Sequence, residues 1–208
     1  MLKLQSGNSM VARQKSVTKS ILHRGLIAAI SLYIVSANAV AVAAESSAAN
    51  ELKKPKSLTV SSTAFGAGST IPKQYTGDGK DLSPQLKWTA GPAGTKCYAL
   101  SVEDPDAPGG TWWHWILVNI PSNVTQLSEG VSRSKALPVG CAEGKNDFDK
   151  PGYNGPMPPK GQNHHYHFKV VALNDNLKLR QGCTKEQYEA AIKGHITGQG
   201  ELIGTYSH

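Results

Sequence analysis

Residues 97–121 read CYALSVEDPDAPGGTWWHWILVNIP. Two apolar runs, Cys97–Val102 and His114–Ile120, flank a stretch crowded with proline and glycine. Each run is too short for a typical helix and ends at turn-forming residues, so the segment predicts two strands with a structured connection. Similar signals recur on either side. Ser57–Thr63 (SLTVSST) alternates, His165–Leu173 (HYHFKVVAL) is rich in aromatic and β-branched residues, and Leu202–Tyr206 (LIGTY) reads as a last strand. Between them lie turn-rich stretches such as TGDGKDLSP and NDFDKPGYNGPMPPKGQN. One helix is expected: Thr184 is an N-cap with Gln187 three residues on, Tyr188, Ala191, Ile192 and His195 recur at helical spacing, and Gly198 and Gly200 end it. The fold class is therefore mainly β, a sandwich with a small helical addition.

The chain has 208 residues with 39% hydrophobic and 18% charged content, which excludes a disordered tail and a multi-span membrane protein. Its net charge of +7 suggests an acidic partner until the charges are located. Residues 1–43 hold five basic groups and no acid, and the remaining 17 basic and 15 acidic residues nearly cancel. Nucleic-acid binding thereby loses its main support. Leu26–Ala44 carries no charge and ends in the small-residue triplets Ala37-Asn38-Ala39 and Ala41-Val42-Ala43. Residues 1–43 thus read as a signal peptide cleaved near Ala39 to Ala44, giving a periplasmic or secreted protein, with an uncleaved anchor as the alternative. Residues 44–56 form a polar linker, and 57–208 a single domain. Cys97, Cys141 and Cys183 would permit one disulfide in an oxidising compartment, with the pairing open. The chain has no CxxC, so neither a zinc ribbon nor a thioredoxin-type motif is present.

Three segments carry candidate chemistry. Asp104 and Asp106, separated by Pro105, follow directly on an apolar strand, where a carboxylate pair can orient a histidine, bind a metal or cap backbone N–H groups. His114 lies among Trp112, Trp113 and Trp115, so burial should favour its neutral ring unless an anion binds. In HHYHF, strand alternation sends His165 and His167 to one face and His164, Tyr166 and Phe168 to the other. The loop from Gly152 through Gly155 and Met157 to Gly161, stiffened by proline and opened by glycine, can present backbone N–H groups to an anion. GxSxG, Walker A and GxGxxG fingerprints are absent.

In order and spacing, DPDAP (104–108), WHWILVNIP (113–121) and GPMPPKG with HHYHF (155–168) resemble the phosphatidylethanolamine-binding protein family, in its bacterial Raf-kinase-inhibitor-like (YbhB/YbcL) branch. YTGDGKDLSPQLKW (75–88), NDFDKPGYNGP (146–156) and KGHITGQGELIGTY (193–206) extend the resemblance over essentially all of 57–208. It implies two antiparallel sheets with a carboxy-terminal helix and a small anion pocket. In that pocket Asp104 and Asp106 would line and orient the site, and His114 would give a ring N–H to a phosphate oxygen. The Gly155–Pro158 loop would give a backbone N–H, His164 and Tyr166 would close the opposite wall, and Trp112 would pack alongside. The chain departs from the family at Gly77 and Met157, where many relatives carry cysteine, and Gly109-Gly110-Thr111 replaces a eukaryotic insertion.

The leading expectation is an exported, non-enzymatic protein that binds phosphate-type anions or phospholipid head groups without a cofactor or metal, and inhibits a partner protein. One alternative is a hydrolase using Asp104, Asp106, His114 and His164, with or without a metal. Another is an interaction module with a vestigial pocket. The oligomeric state is open, with a homodimer among the options.

Overall fold

The computed structural model describes residues 54–134 and 136–208. The leader expected over 1–43 and most of the linker lie outside the described residues. No described helix is long and apolar enough to cross a membrane.

Among the described residues, nine strands and one α-helix follow in the order β1 (Lys56–Ser57), β2 (Val60–Ser61), β3 (Leu86–Trp88), β4 (Cys97–Asp104), β5 (Trp112–Pro121), β6 (Gln126–Leu127), β7 (Ala142–Glu143), β8 (Asn163–Leu173), α1 (Lys185–Ile192) and β9 (Ile196–Ser207). They form a six-stranded sheet, ordered β1-β9-β8-β4-β5-β7, and a three-stranded sheet, ordered β2-β3-β6. All pairings are antiparallel except the two-residue β1–β9 contact. The long central strands are those with the apolar signals. The expected strand at Ser57–Thr63 is instead split: Lys56–Ser57 joins the large sheet, and Val60–Ser61 the small one.

Alternation along the central strands makes two cores. Tyr98, Leu100 and Val102 of β4 and Tyr166, Phe168 and Val170 of β8 face the space between the sheets. Cys97, Ala99, Val171 and Leu173 face the other way, toward Tyr188 of α1. A fully buried large apolar side chain contributes about 2 kcal/mol, so these two faces dominate the fold's stability. The capping box holds as expected: the Gln187 N–H donates to Thr184 Oγ1 at 3.3 Å, and the Thr184 N–H donates to Gln187 Oε1 at 3.0 Å. The helix stops at Ile192, earlier than expected, because Gly194 turns the chain with φ of +81°. Gly198 and Gly200 lie inside β9. A Cβ on Gly200 would stand 2.0 Å from the Leu58 carbonyl oxygen, so glycine there serves close strand approach and not helix termination.

No disulfide forms among the described residues. Cys97 and Cys183 are buried, Cys141 is half-buried, and all three are free thiols. Burial pushes each upward, Cys141 to about 11, so they are protonated and weakly nucleophilic near neutral pH.

Candidate functional site

A β-bulge positions His114. Val102 of β4 pairs with Trp115, whereas the next residue, Glu103, pairs with Trp113, leaving His114 as an extra residue on β5. As a result Trp113 and Trp115, two positions apart, face opposite cores. Trp113 packs edge-on against Tyr188, and Trp115 against Tyr153. The His114 backbone pairs instead with the loop after β7: its carbonyl accepts the Asn154 N–H at 2.9 Å and Asn146 Nδ2 at 3.3 Å. The ring is turned onto Tyr166, 5.2 Å between centroids, with Phe148 edge-on at 5.3 Å.

His114 Nδ1 lies 2.7 Å from the Asn154 carbonyl oxygen. Burial holds the ring below its ordinary range; the Asn154 carbonyl, the Asp104 carboxylate, the Gly155 backbone and the Asp81 carboxylate oppose that shift without reversing it. The sign for stability follows. The folded state binds fewer protons than the unfolded chain below the unfolded pKa, so stability present above about pH 6.5 is lost as the pH falls. Urea midpoints should hold between pH 8 and 7 and decline below about pH 6.5, with a shallower decline in His114→Gln.

The two aspartates diverge. Asp104 is buried at the end of β4, where Oδ1 accepts the Asp106 N–H at 2.9 Å and Oδ2 faces His164 Nδ1 at 2.8 Å. Asp106 is paired with a different histidine. Its carboxylate turns to His165, accepting the N–H at 2.8 Å and Nδ1 at 2.7 Å, and these bonds hold it below the usual carboxylate range. The second ring nitrogen of His164 meets Gln162 Oε1 at 3.0 Å, so both nitrogens are occupied and the ring fixes Asp104. His167 pairs with Glu201 at 2.9 Å. The histidines are thus dispersed, and among the described residues no group of three or more His, Cys, Asp or Glu side chains is placed to hold a metal.

The loop wall also differs from the sequence reading. Gly155 does not offer its N–H, which donates to Asp81 Oδ1. In Gly155-Pro156-Met157-Pro158 the prolines have no N–H, leaving Met157 as the remaining backbone donor. That N–H finds no acceptor among the backbone carbonyls described and faces the Tyr166 hydroxyl. Tyr166 is fully buried; its hydroxyl faces the Met157 N–H and the Asp104 carboxylate, close enough for both to influence its ionisation but without a well-formed hydrogen bond to either. The Met157 side chain is 57% exposed and lies where a Cβ on Gly77 would come within 3.0 Å of its sulfur. The two departures from the family pattern are therefore partners in space. Trp112, 38% exposed, stacks edge-on against the half-exposed Phe148 at 5.6 Å, and Phe148 in turn packs on the His114 ring.

Sequence reading missed the residues that tie this loop down. Asp81 sits in the left-handed region at φ of +55° and takes the Gly155 N–H from 74 residues away. Arg133 donates through Nη2 to Asn154 Oδ1 at 2.6 Å and through Nε to the Pro151 carbonyl at 3.1 Å. The guanidinium therefore braces the loop. The resulting site offers neutral O–H and N–H donors beside a neutral imidazole, with a carboxylate behind them. That arrangement suits reversible capture of an oxyanion, and none of the three thiols belongs to it.

Comparison with known proteins bears on the same residues. The phosphatidylethanolamine-binding protein family model matches residues 61–207. A UPF0098 protein of Pyrococcus horikoshii is 45% identical over 153 residues, 72% of this chain and 76% of that one. The UPF0098 protein YbcL of Escherichia coli K12 is 45% identical over 128 residues, 60% of this chain and 66% of that one. Among solved structures, E. coli YbcL, described as a member of the mammalian PEBP family, superposes with a TM-score of 0.69 at 35% identity, covering 73% of this chain and 98% of that one. A PEBP homologue of Chlamydia trachomatis gives 0.66 at 36%, covering 74% and 99%.

Proposed function

The chain belongs to the phosphatidylethanolamine-binding protein family, and from that premise we propose that it is an exported binding protein that captures phosphate-type anionic groups, free or on a phospholipid head group, between His114, Tyr166 and the Met157 N–H. The observation that carries this reading is the buried Tyr166 hydroxyl, which makes no well-formed hydrogen bond among the described residues. An unsatisfied buried hydroxyl costs about 1–3 kcal/mol, so its retention beside a histidine and a spare backbone N–H points to a ligand oxygen as the missing partner. The exposed apolar side chains of Trp112 and Phe148 beside His114, and of Met157 next to Tyr166, suit an organic group continuing from the anion. Export through cleavage near Ala39 to Ala44 completes the proposal, and inhibition of a partner protein is its extension at the same mouth.

The test is calorimetric titration with inorganic phosphate and phosphorylethanolamine, with Tyr166→Phe alongside. Removing an orphaned hydroxyl should leave stability equal or slightly higher, while binding weakens about tenfold or more. Saturable binding without release of free phosphate from the ester supports capture. Steady release of phosphate would favour the hydrolase reading, and unchanged affinity in Tyr166→Phe would remove the ligand from this pocket.

A further inference from the structure

Two carboxylates hold the loop that carries Asn154, and they do so in different ways. Asp81 bonds to it directly, accepting the Gly155 N–H. Glu143, 2% exposed on β7, makes no hydrogen bond to the loop itself. Its backbone is anchored on both sides. It pairs with Leu117 of β5, its N–H donates to Gln181 Oε1 at 2.8 Å, and its carbonyl accepts the Gly182 N–H at 2.7 Å. The carboxylate takes three donors, all of them neutral. Trp115 Nε1 reaches Oε1 at 3.1 Å and Ser132 Oγ reaches it at 2.6 Å, while the Arg133 N–H is shared between both oxygens, 3.1 Å from Oε2. A buried carboxylate is costly unless hydrogen bonds satisfy it, and the bonds it accepts are stronger than neutral ones. Glu143 therefore orients all three donors at once.

Each donor leads toward the pocket. Ser132 has one hydroxyl proton, and giving it to Glu143 leaves Oγ to accept the Tyr153 N–H at 2.7 Å. Arg133 stands in the left-handed region at φ of +55°, with its N–H on Glu143 and its guanidinium on Asn154 Oδ1 and the Pro151 carbonyl. Trp115 follows His114 on β5. Pro151, Tyr153 and Asn154 are thus placed from one buried carboxylate, and the Asn154 carbonyl in turn holds His114 Nδ1 at 2.7 Å. We propose that Glu143 is a positioning residue of the anion pocket. Through Ser132 and Arg133 it sets where the 151–155 loop lies, and through the Asn154 carbonyl it sets the orientation of the His114 ring. This rests on the pocket reading above and adds to it a residue that does not touch the ligand.

Glu143→Gln keeps the shape and separates this role from packing. With its oxygen facing Trp115 and Ser132, the amide sets its NH2 against the Arg133 N–H, donor against donor; flipped, it sets the NH2 against Trp115 Nε1. Calorimetry with inorganic phosphate, amide hydrogen exchange and His114 ring-nitrogen shifts, all on the full chain, read the result. Phosphate affinity should fall about fivefold or more, and exchange at the Tyr153 and Asn154 amides should quicken about tenfold or more. The His114 Nδ1 resonance should move, while the amides of β4 and β8 stay protected. Ser132→Ala should quicken exchange at Tyr153 likewise, and the phosphate losses of the two substitutions should combine to less than their sum. Gln181→Ala, which loosens the edge strand without touching the carboxylate, should leave phosphate affinity and the His114 resonance unchanged. A folded Glu143→Gln protein with wild-type Tyr153 exchange and His114 shift overturns the proposal, as does equal loss of binding in Gln181→Ala. Should Glu143→Gln not fold, Ser132→Ala carries the test, and wild-type exchange and ring shift there overturn the relay. If the wild-type chain binds no phosphate, the pocket reading falls, while the exchange and ring-nitrogen readouts still decide for or against Glu143.

Discussion

Gly155→Ala is expected to lower stability by about 3 kcal/mol and to abolish phosphate binding. Its Cβ would stand 2.2 Å from the Tyr75 carbonyl oxygen and 2.7 Å from Thr76 Cα, backbone atoms that cannot rotate away. Relief requires the 152–157 loop and the segment after Tyr75 to separate. That movement breaks the Gly155–Asp81 hydrogen bond and the 2.9 Å bond from the Gly77 N–H to the Pro156 carbonyl. The Met157 N–H would be displaced from Tyr166 with them. Urea unfolding reads the stability change and phosphate titration the binding change. A midpoint equal to wild type would show that this close approach does not pin the loop.

His114→Ala should remove measurable phosphate binding and cost about 2 kcal/mol of stability. It leaves the Asn154 carbonyl oxygen without the ring donor and opens space between Tyr166 and Phe148. Cooperative unfolding of the variant separates loss of the ligand group from loss of the fold. The variant should also lose much of the decline in stability below about pH 6.5, since the group that titrates differently in folded and unfolded chains is gone. Binding retained in a folded His114→Ala protein would mean that the anion contacts other groups.

The strands that form the framework were legible because their signals are local. Cys97–Val102, His114–Ile120 and His165–Leu173 lie within observed strands β4, β5 and β8, whose apolar alternation is set by the two cores they separate. β3, β6 and β7 were missed: two or three residues each, they are defined by pairing with distant strands and not by their own pattern. The N-cap of α1 was readable from Thr184 and Gln187, but its end was misplaced. Gly194, Gly198 and Gly200 look alike in sequence, and only the fold separates a left-handed turn from close strand packing.

The same distinction holds at the site. That His114 would be buried among aromatic rings followed from its neighbours, and the structure places it there. The bulge that aims it is a mismatch of register between two strands, which neither strand's pattern reveals. Asp104 and Tyr166 lie near one another, whereas Asp106, His164 and Gly155 bond to His165, Gln162 and Asp81. Donor availability depends on partners far along the chain. Asp81 and Asn154 escaped notice for that reason, although both lie within stretches that carry the family resemblance.

The central claim is that one anion site exists and that the Met157 N–H, the Tyr166 hydroxyl and His114 form it. The most direct measurement is a nuclear magnetic resonance titration with inorganic phosphate, following backbone amides and histidine ring nitrogens. The account predicts saturable shifts at the Met157 amide and at His114 Nε2, with the Gly155 amide, already bonded to Asp81, moving little. Shifts confined elsewhere, for instance to the cavity of about 560 Å³ bordered by Ser57, Lys169, Gln199 and Glu201, would contradict it.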